Sequence, residues 1–218
     1  MFPSLVVIDN FFPNPDKIVE YANTLEYYRD PNGYFPGGRT VGLHRLNPDL
    51  DYFVGRRVIR NFYDITKEFS WDMTSGFHKT IPMHEDKYHL KNMGIVYPNT
   101  HVSFSGIVYL NKTFEEDTGT TVYKLRKGWS SKHTESKQIT TKHWLGEIVS
   151  DDDYNEAYKH QMDQYEETIT IKSIYNRLVI FSSDTYHTTQ TYGSMGERLS
   201  MYFYGQQKLS SQHPPLFR

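Results

Sequence analysis

Two side chains near the C-terminal end of the sequence have the types and spacing of a ligand site. His187 closes the run Ser183-Asp184-Thr185-Tyr186-His187, and Arg198 follows eleven residues later. A neutral imidazole offers one nitrogen to a divalent metal ion, and a guanidinium offers a planar fork of donors that matches a carboxylate. The pair predicts a metal ligand beside an anion-binding cation, although either residue alone is more often an ordinary surface side chain.

The residues after Arg198 alternate as in a half-buried strand. Alternate residues of a strand share one face, which separates Arg198, Ser200, Tyr202 and Tyr204 from Leu199, Met201 and Phe203. We expect the polar face to line a pocket and the apolar face to pack on a neighbouring layer. Tyr109 lies on an equally regular stretch and is expected to join Arg198 and Ser200 in holding a small dicarboxylate.

The composition excludes several classes of site and partner. The 218 residues include no cysteine, so disulfides, cysteine-based zinc sites, iron–sulfur clusters and thiol nucleophiles are ruled out. A formal net charge of -2 gives no electrostatic case for nucleic acid or an acidic membrane. The apolar run 1–12 lacks the features of a signal peptide, and no run reaches membrane-span length. We therefore expect a soluble cytoplasmic protein, in a host's cytoplasm if the protein is viral.

The first third of the chain predicts a strand and two helices. Residues 5–8 are apolar and β-branched, and the cap signal Asn14-Pro15-Asp16 predicts an amphipathic helix over 15–27. Residues 29–48 are rich in proline and glycine and predict a long ordered loop. A second helix is expected over 50–65.

From residue 73 onward, short β segments separated by turn residues favour a sandwich or barrel. The predicted strands cover 75–81, 93–97, 102–110, 119–125, 167–174, 177–181, 186–191 and 197–205. Residues 128–150 are polar without a clear pattern, and 152–165 favour a helix within an insertion around 126–165. We expect one domain over 1–218, with 1–72 as a strand plus helical support and 73–218 as the β core.

Five longer stretches of the sequence resemble segments of a known protein family. They are 9–15 (DNFFPNP), 35–40 (FPGGRT), 105–111 (SGIVYLN), 119–123 (GTTVY) and 176–181 (NRLVIF), the last leading to His187 and Arg198. Together they resemble the 2-oxoglutarate- and Fe(II)-dependent oxygenase superfamily, and most of all its uncharacterised members from marine phages. The resemblance implies a mainly β fold of the α+β type, a double-stranded β-helix (a cupin-like jelly roll) with flanking N-terminal helices. It implies Fe(II) and 2-oxoglutarate as cofactors, with His187 as the distal iron ligand and Arg198 on the C5 carboxylate of 2-oxoglutarate.

The same resemblance calls for a His-x-Asp pair that completes a facial triad of two histidines and one carboxylate, and three alternatives for it stay open. An ungapped match places Tyr97 at the histidine position and Asn99 at the aspartate position, which makes the pair look degenerate because both are poor iron ligands. His84-Glu85-Asp86 is a literal His-x-Asp, although a solvated charged loop is the simpler interpretation. His101 could swing into the site, but no carboxylate follows it two residues later.

The remaining candidates have weaker signals. Arg39, on the glycine-rich stretch, is expected at the pocket mouth as a substrate contact, and a structural role in a turn is at least as common. Asp184 is expected to orient His187 or to cap its turn. The other histidines have no partner pattern and are interpreted as ordinary: His78, His89, His133, His143, His160 and His213.

Two functions of different classes follow. One is an oxygenase that hydroxylates a C–H bond of a small-molecule or protein substrate. The other is a non-catalytic jelly-roll module, for binding or structure, that retains only an anion pocket, and the Tyr97 and Asn99 match favours it. A cupin-like isomerase or sugar binder would share the barrel but would leave Arg198 unexplained.

Overall fold

Two antiparallel β-sheets with surrounding helices make up the described part of the protein. The computed structural model describes residues 5–29, 37–67, 69–80, 103–113, 118–126, 131–144, 147, 149–182, 184–189 and 197–210. The strands are β1 (Leu5–Ile8), β2 (Gly38–Arg39), β3 (Phe69–Thr80), β4 (Phe104–Tyr109), β5 (Thr120–Leu125), β6 (Tyr165–Ile171), β7 (Leu178–Ser182), β8 (Tyr186–Thr189) and β9 (Arg198–Ser210). Six form one sheet in the order β1-β7-β4-β9-β3-β2, and three form a smaller sheet in the order β6-β5-β8. The expected β-rich fold with accompanying helices is confirmed.

Asparagine–proline pairs start the two longer helices that precede β3. In α1 (Pro15–Asn23), the Asn14 side chain accepts a hydrogen bond from the backbone N–H of Lys17 at 3.3 Å. The short α2 (Leu43–Leu46) leads to α3 (Pro48–Ile59), where Asn47 accepts from the N–H of Leu50 at 3.0 Å. Each asparagine side chain accepts a hydrogen bond from a backbone N–H of the first helical turn. The proline after it has no N–H and so needs no acceptor.

Several predicted boundaries differ from those of the structure. The helix expected over 50–65 runs over Pro48–Ile59, and the loop expected over 29–48 contains β2 and α2. β2 exists because Gly38 and Arg39 pair with Lys79 and His78 of β3, a contact that no local pattern contains. The strand expected to begin at 75 begins at Phe69, so the β core starts before residue 73. The strand expected over 93–97 lies outside the described residues.

The insertion between β5 and β6 is helical. It contains α4 (Ser131–Trp144), in the polar stretch that had no clear pattern, and α5 (Asp151–Met162), near the predicted helix. Ser150 caps α5 by accepting from the N–H of Asp153 at 3.1 Å. Among the helices in the described ranges, none has the length and apolar character needed to cross a membrane.

The larger sheet buries its two faces against different partners. On one face, apolar side chains of the sheet join those of α1 and α3 in the largest core cluster; its members from β9 are Leu199, Met201 and Phe203. On the other face, Tyr109, Val179 and Phe181 pack with Val122 and Ile171 of the smaller sheet. The second cluster therefore occupies the space between the two sheets, and we call the face that carries it the inner face.

Two glycines allow close packing of aromatic rings in the centre of the larger sheet. Gly106 of β4 pairs with Phe203 of β9, and Gly205 of β9 pairs with Phe104 of β4. A Cβ at Gly106 would lie 2.3 Å from Cζ of Phe203 and 2.4 Å from the backbone oxygen of Val179. The backbone oxygen cannot move without disturbing the pairing of β4 with β7.

We predict that Gly106→Ala lowers the free energy of unfolding by about 1–3 kcal/mol, the usual range for overpacking a well-filled core. The matched control is Gly55→Ala in α3, where the nearest atoms to an added Cβ are 3.4 Å away. The control should be neutral or stabilising by up to about 1 kcal/mol, since alanine favours a helix. Urea denaturation measures both values, and equal stabilities of the two variants would contradict the packing described.

Candidate active site between the sheets

His187 lies on the inner side of the smaller sheet and carries a defined tautomer. It pairs with Val122 of β5, and its ring centroid lies 4.1 Å from that of Phe181 in the cluster between the sheets. Its Nδ1 is 3.0 Å from the backbone oxygen of Thr185. Because a carbonyl oxygen can only accept, Nδ1 carries the proton and Nε2 keeps its lone pair. Burial lowers the pKa of His187 to about 4, so the imidazole is neutral at physiological pH.

A hydrogen-bonded turn sets the position of His187. The N–H of Thr185 donates to the backbone oxygen of Ser182 at 3.1 Å, and the hydroxyls of Ser182 and Thr185 are 3.0 Å apart. Asp184 accepts from the Ser182 hydroxyl and so belongs to the turn. The group that orients the imidazole is thus the Thr185 carbonyl, and Asp184 contributes by capping the turn.

Arg198 places a cation at the first position of β9. Arg198 is 9% exposed, and it pairs with Thr80 of β3. The guanidinium carbon lies 5.5 Å from the ring centroid of Tyr109, within the range of a cation–π contact. A guanidinium held in such surroundings attracts an anion strongly, because burial weakens competition from water.

Tyr109 links the arginine to the smaller sheet. It is 2% exposed and pairs with Ser200 of β9, and its hydroxyl is 2.6 Å from the hydroxyl of Thr120 in β5. Burial raises the pKa of Tyr109, with the Arg198 charge as a smaller opposing influence. The phenol therefore stays protonated and neutral. Thr120 is two residues before Val122, the partner of His187, so this hydrogen bond connects the two ends of the site.

The predicted division of β9 into two faces is present in the structure. Leu199, Met201 and Phe203 belong to the core on the helix side. Ser200 is buried, and Tyr202 and Tyr204 are half-buried on the opposite face. The alternation read from the sequence thus gave the correct orientation of the strand relative to the layers.

Arg39 lies on the same inner face, at the edge of the larger sheet. Its guanidinium carbon is 4.3 Å from the ring centroid of Tyr202 and 5.9 Å from that of Tyr204. One terminal nitrogen donates to the Tyr204 hydroxyl at 3.3 Å. The sequence offered no reason to group His78 with these residues, yet it pairs with Arg39 on one side and Ser200 on the other. Once the pairing of β3 with β9 is known, the alternation of side chains along β3 places His78 beside Ser200.

The other predicted ligand positions lie outside the described residues: His84, Asp86, Tyr97, Asn99 and His101. Within the described ranges, no group of three or more histidine, cysteine or acidic side chains is placed to hold a metal ion. The imidazole of His187 suits a metal ion because it is neutral. Its Nδ1 is fixed by the hydrogen bond to Thr185, and its Nε2 keeps a lone pair. The described residues thus combine the His187 imidazole with a buried guanidinium, that of Arg198. The hydroxyl residues Tyr109 and Ser200 are also buried and suit a carboxylate.

We predict that His187 in the metal-free protein stays neutral until the pH falls to about 4, whereas a histidine in the unfolded chain titrates near 6.5. The unfolded state therefore binds a proton first, and the free energy of unfolding should fall as the pH falls from 6.5 to 4. His187→Gln should flatten this part of the pH profile. Nitrogen NMR shifts report the tautomer directly, and an imidazole that titrates near 6.5 in the folded protein would contradict the burial described.

Solved structures of similar fold are 2-oxoglutarate enzymes of low sequence identity. A structure of HygX from Streptomyces hygroscopicus, with nickel and 2-oxoglutarate bound, is 13% identical, has a TM-score of 0.57, and matches 97% of this chain and 86% of HygX. An oxidoreductase of the 2OG-Fe(II) oxygenase family from Burkholderia pseudomallei is 13% identical, with a TM-score of 0.52 and coverage of 93% and 84%. The epimerase SnoN, in complex with Fe3+, alpha-ketoglutarate and nogalamycin RO, is 10% identical, with a TM-score of 0.54 and coverage of 94% and 79%.

The comparisons place the chain in a family. The expected resemblance to 2-oxoglutarate oxygenases is confirmed as a similarity of fold, while the phage type and the degenerate His-x-Asp pair stay predictions. No curated protein sequence matches the chain. Residues 3–194 match the sequence model of a family of unknown function. The chain therefore belongs to that family, DUF6445.

Proposed function

We propose that this protein is a 2-oxoglutarate- and Fe(II)-dependent oxygenase that hydroxylates its substrate. The observation that carries the proposal is the cluster between the sheets, where the His187 ring lies against Phe181 and the Arg198 guanidinium lies beside Tyr109. A neutral imidazole at one end suits a metal ion, and a buried guanidinium at the other end suits a carboxylate. A ligand with a metal-chelating end and a carboxylate end, such as 2-oxoglutarate, matches both.

The order of the strands supports a double-stranded β-helix. The larger sheet contains the consecutive neighbours β7, β4, β9 and β3, and the smaller sheet contains β6, β5 and β8. The chain crosses from the larger sheet at β7 to the smaller at β8 and returns at β9, as a jelly roll does. This crossing between the two sheets is what supports the proposed double-stranded β-helix.

The chain between Thr80 and Ser103 is proposed to supply the two remaining iron ligands. His84 is four residues after Thr80 in the sequence, and Thr80 pairs with Arg198. Asn99 is equally close in sequence to Ser103, whose N–H donates to the backbone oxygen of Gly205. Chain length permits either register, and donor chemistry separates them. His84 and Asp86 offer an imidazole and a carboxylate, whereas Tyr97 and Asn99 offer a neutral phenol and an amide.

Each described residue has one task in this proposal. Arg198, with Ser200 beside it, binds the C5 carboxylate of 2-oxoglutarate, and the Tyr109 hydroxyl lies at the same level of the sheet. In this role the Thr120 hydroxyl donates to Tyr109, whose raised pKa keeps its own proton for donation to that carboxylate. The Thr185 carbonyl fixes the tautomer of His187, which leaves Nε2 as the metal donor. When bound, Fe(II) and 2-oxoglutarate supply the activation of dioxygen, with succinate and carbon dioxide as products of the cosubstrate.

Metal titration of matched variants tests the proposal. We predict that the wild-type protein binds one Mn(II) or Fe(II) tightly under anaerobic conditions and converts 2-oxoglutarate to succinate with Fe(II) and dioxygen. His187→Ala and His84→Ala should each abolish the tight metal site, because each removes one of three ligands. Tyr97→Phe and Asn99→Ala are the controls and should bind metal like the wild type.

Two results would contradict parts of the proposal. Loss of metal binding in Asn99→Ala but not in His84→Ala would move the ligand pair to the other register. A wild-type protein with no tight metal site and succinate at background would contradict the oxygenase and favour the non-catalytic anion-binding module.

A further inference from the structure

We propose that Arg39 binds an oxyanion group of the molecule that the enzyme modifies, so that the substrate carries a carboxylate or a phosphate. This inference rests on the proposed function only in taking the bound molecule to be a substrate. The anion site itself can be tested separately. The observation behind it is a second cation on the inner face of the larger sheet. Arg39 lies over Tyr202 and Tyr204 of the strand that begins with Arg198.

The two cations lie on different strands and over different aromatic rings. Arg198 is on β9 and its guanidinium lies over Tyr109, whereas Arg39 is on β2, beyond β3, and its guanidinium lies over Tyr202 and Tyr204. A five-carbon cosubstrate bound by Arg198 would extend across the site toward His187 in the smaller sheet. Arg39 would then act on the molecule that enters beside the cosubstrate.

The backbone of Arg39 is held from both sides. Its N–H donates to the oxygen of Tyr28 at 2.9 Å, and its oxygen accepts from the N–H of Tyr28 at 2.8 Å. On the other side it pairs with His78 of β3. The next residue adds two bonds, because Thr40 donates its N–H to the oxygen of Phe77 and accepts from the Phe77 N–H at its hydroxyl, each at 3.0 Å. Such a clamp lowers the entropy lost when the side chain binds a ligand.

The aromatic platform beneath the guanidinium is also fixed. A Cβ at Gly76 would lie 2.7 Å from the Tyr202 hydroxyl, so the missing side chain at Gly76 lets the Tyr202 ring lie against β3. Tyr204 stands next to Tyr202, with ring centroids 5.7 Å apart, and accepts a hydrogen bond from Arg39. Stacking sets the plane of the guanidinium, and a planar guanidinium matches the two oxygens of a carboxylate or phosphate.

The protein contains a matched arginine for comparison. Arg56 in α3 also stacks on a tyrosine, with its guanidinium carbon 5.6 Å from the Tyr52 ring centroid, and it donates to the Tyr52 hydroxyl at 3.2 Å. Both residues of that pair are exposed on the helix surface. The chemistry of the two pairs is the same, and they differ in burial and in the face on which they lie.

The test titrates inorganic phosphate and acetate, separately, into protein saturated with 2-oxoglutarate, and follows binding by calorimetry. We expect the wild type to bind at least one probe at a single site. Arg39→Met should weaken that binding by about tenfold to a hundredfold, the usual effect of removing charge-assisted hydrogen bonds. Arg56→Met should bind like the wild type. The preferred probe separates a phosphate-bearing from a carboxylate-bearing substrate.

Affinity for 2-oxoglutarate separates this inference from the proposed function. Arg39→Met should bind 2-oxoglutarate like the wild type, whereas Arg198→Met should lose 2-oxoglutarate and keep the probe site. If the wild type binds phosphate through Arg39 but does not bind 2-oxoglutarate, the proposed function fails and the anion site stands. If the wild type binds neither probe, or Arg39→Met binds them unchanged, the inference is wrong. Thermal unfolding checks each variant, and Arg39→Lys, which keeps the charge without the fork, replaces Arg39→Met if that variant does not fold.

Discussion

The hydrogen bond between the hydroxyls of Tyr109 and Thr120 joins the two sheets at the position on which the candidate site depends. Tyr109 is a fully buried member of β4, and its ring supports the guanidinium of Arg198. Thr120 is on β5, whose Val122 pairs with His187. Without a polar partner, a phenol buried at this depth would cost free energy. The bond therefore holds β4 and β5 together beside the Arg198 guanidinium.

Electrostatics divides this space into a neutral end and a cationic end. At the smaller sheet, burial lowers the pKa of His187 and leaves a neutral donor nitrogen. At the larger sheet, Arg198 carries a charge close to a phenol whose pKa burial has raised. A metal ion with an anionic chelate would complement both ends, because the anion compensates the guanidinium and the metal takes the lone pair. Arg39 of β2, over Tyr202 and Tyr204, adds a second positive charge to the same face.

Much of this arrangement could be read from short-range patterns. Alternation after Arg198 predicted the two faces of β9, and the Asn14-Pro15 cap predicted the start of α1, because capping is local. The equally local Asn47-Pro48 cap of α3 was not used, and the predicted helix began at 50 instead of Pro48. The pairing of β2 with β3 was missed, since Gly38 and Arg39 become a strand only through contact with Lys79 and His78. His78 shows no partner pattern in the sequence for the same reason, because its neighbours Arg39 and Ser200 are distant in sequence. The choice between His84 and Asn99 also needs tertiary information, as spacing alone allows both.

The most direct test of the central claim is a crystal structure of the protein with Mn(II) and 2-oxoglutarate added. The account predicts the C5 carboxylate of 2-oxoglutarate on the Arg198 guanidinium and an anomalous-scattering peak for manganese at coordination distance from Nε2 of His187. A His187 side chain directed away from the ligand, or 2-oxoglutarate bound elsewhere in the protein, would contradict it.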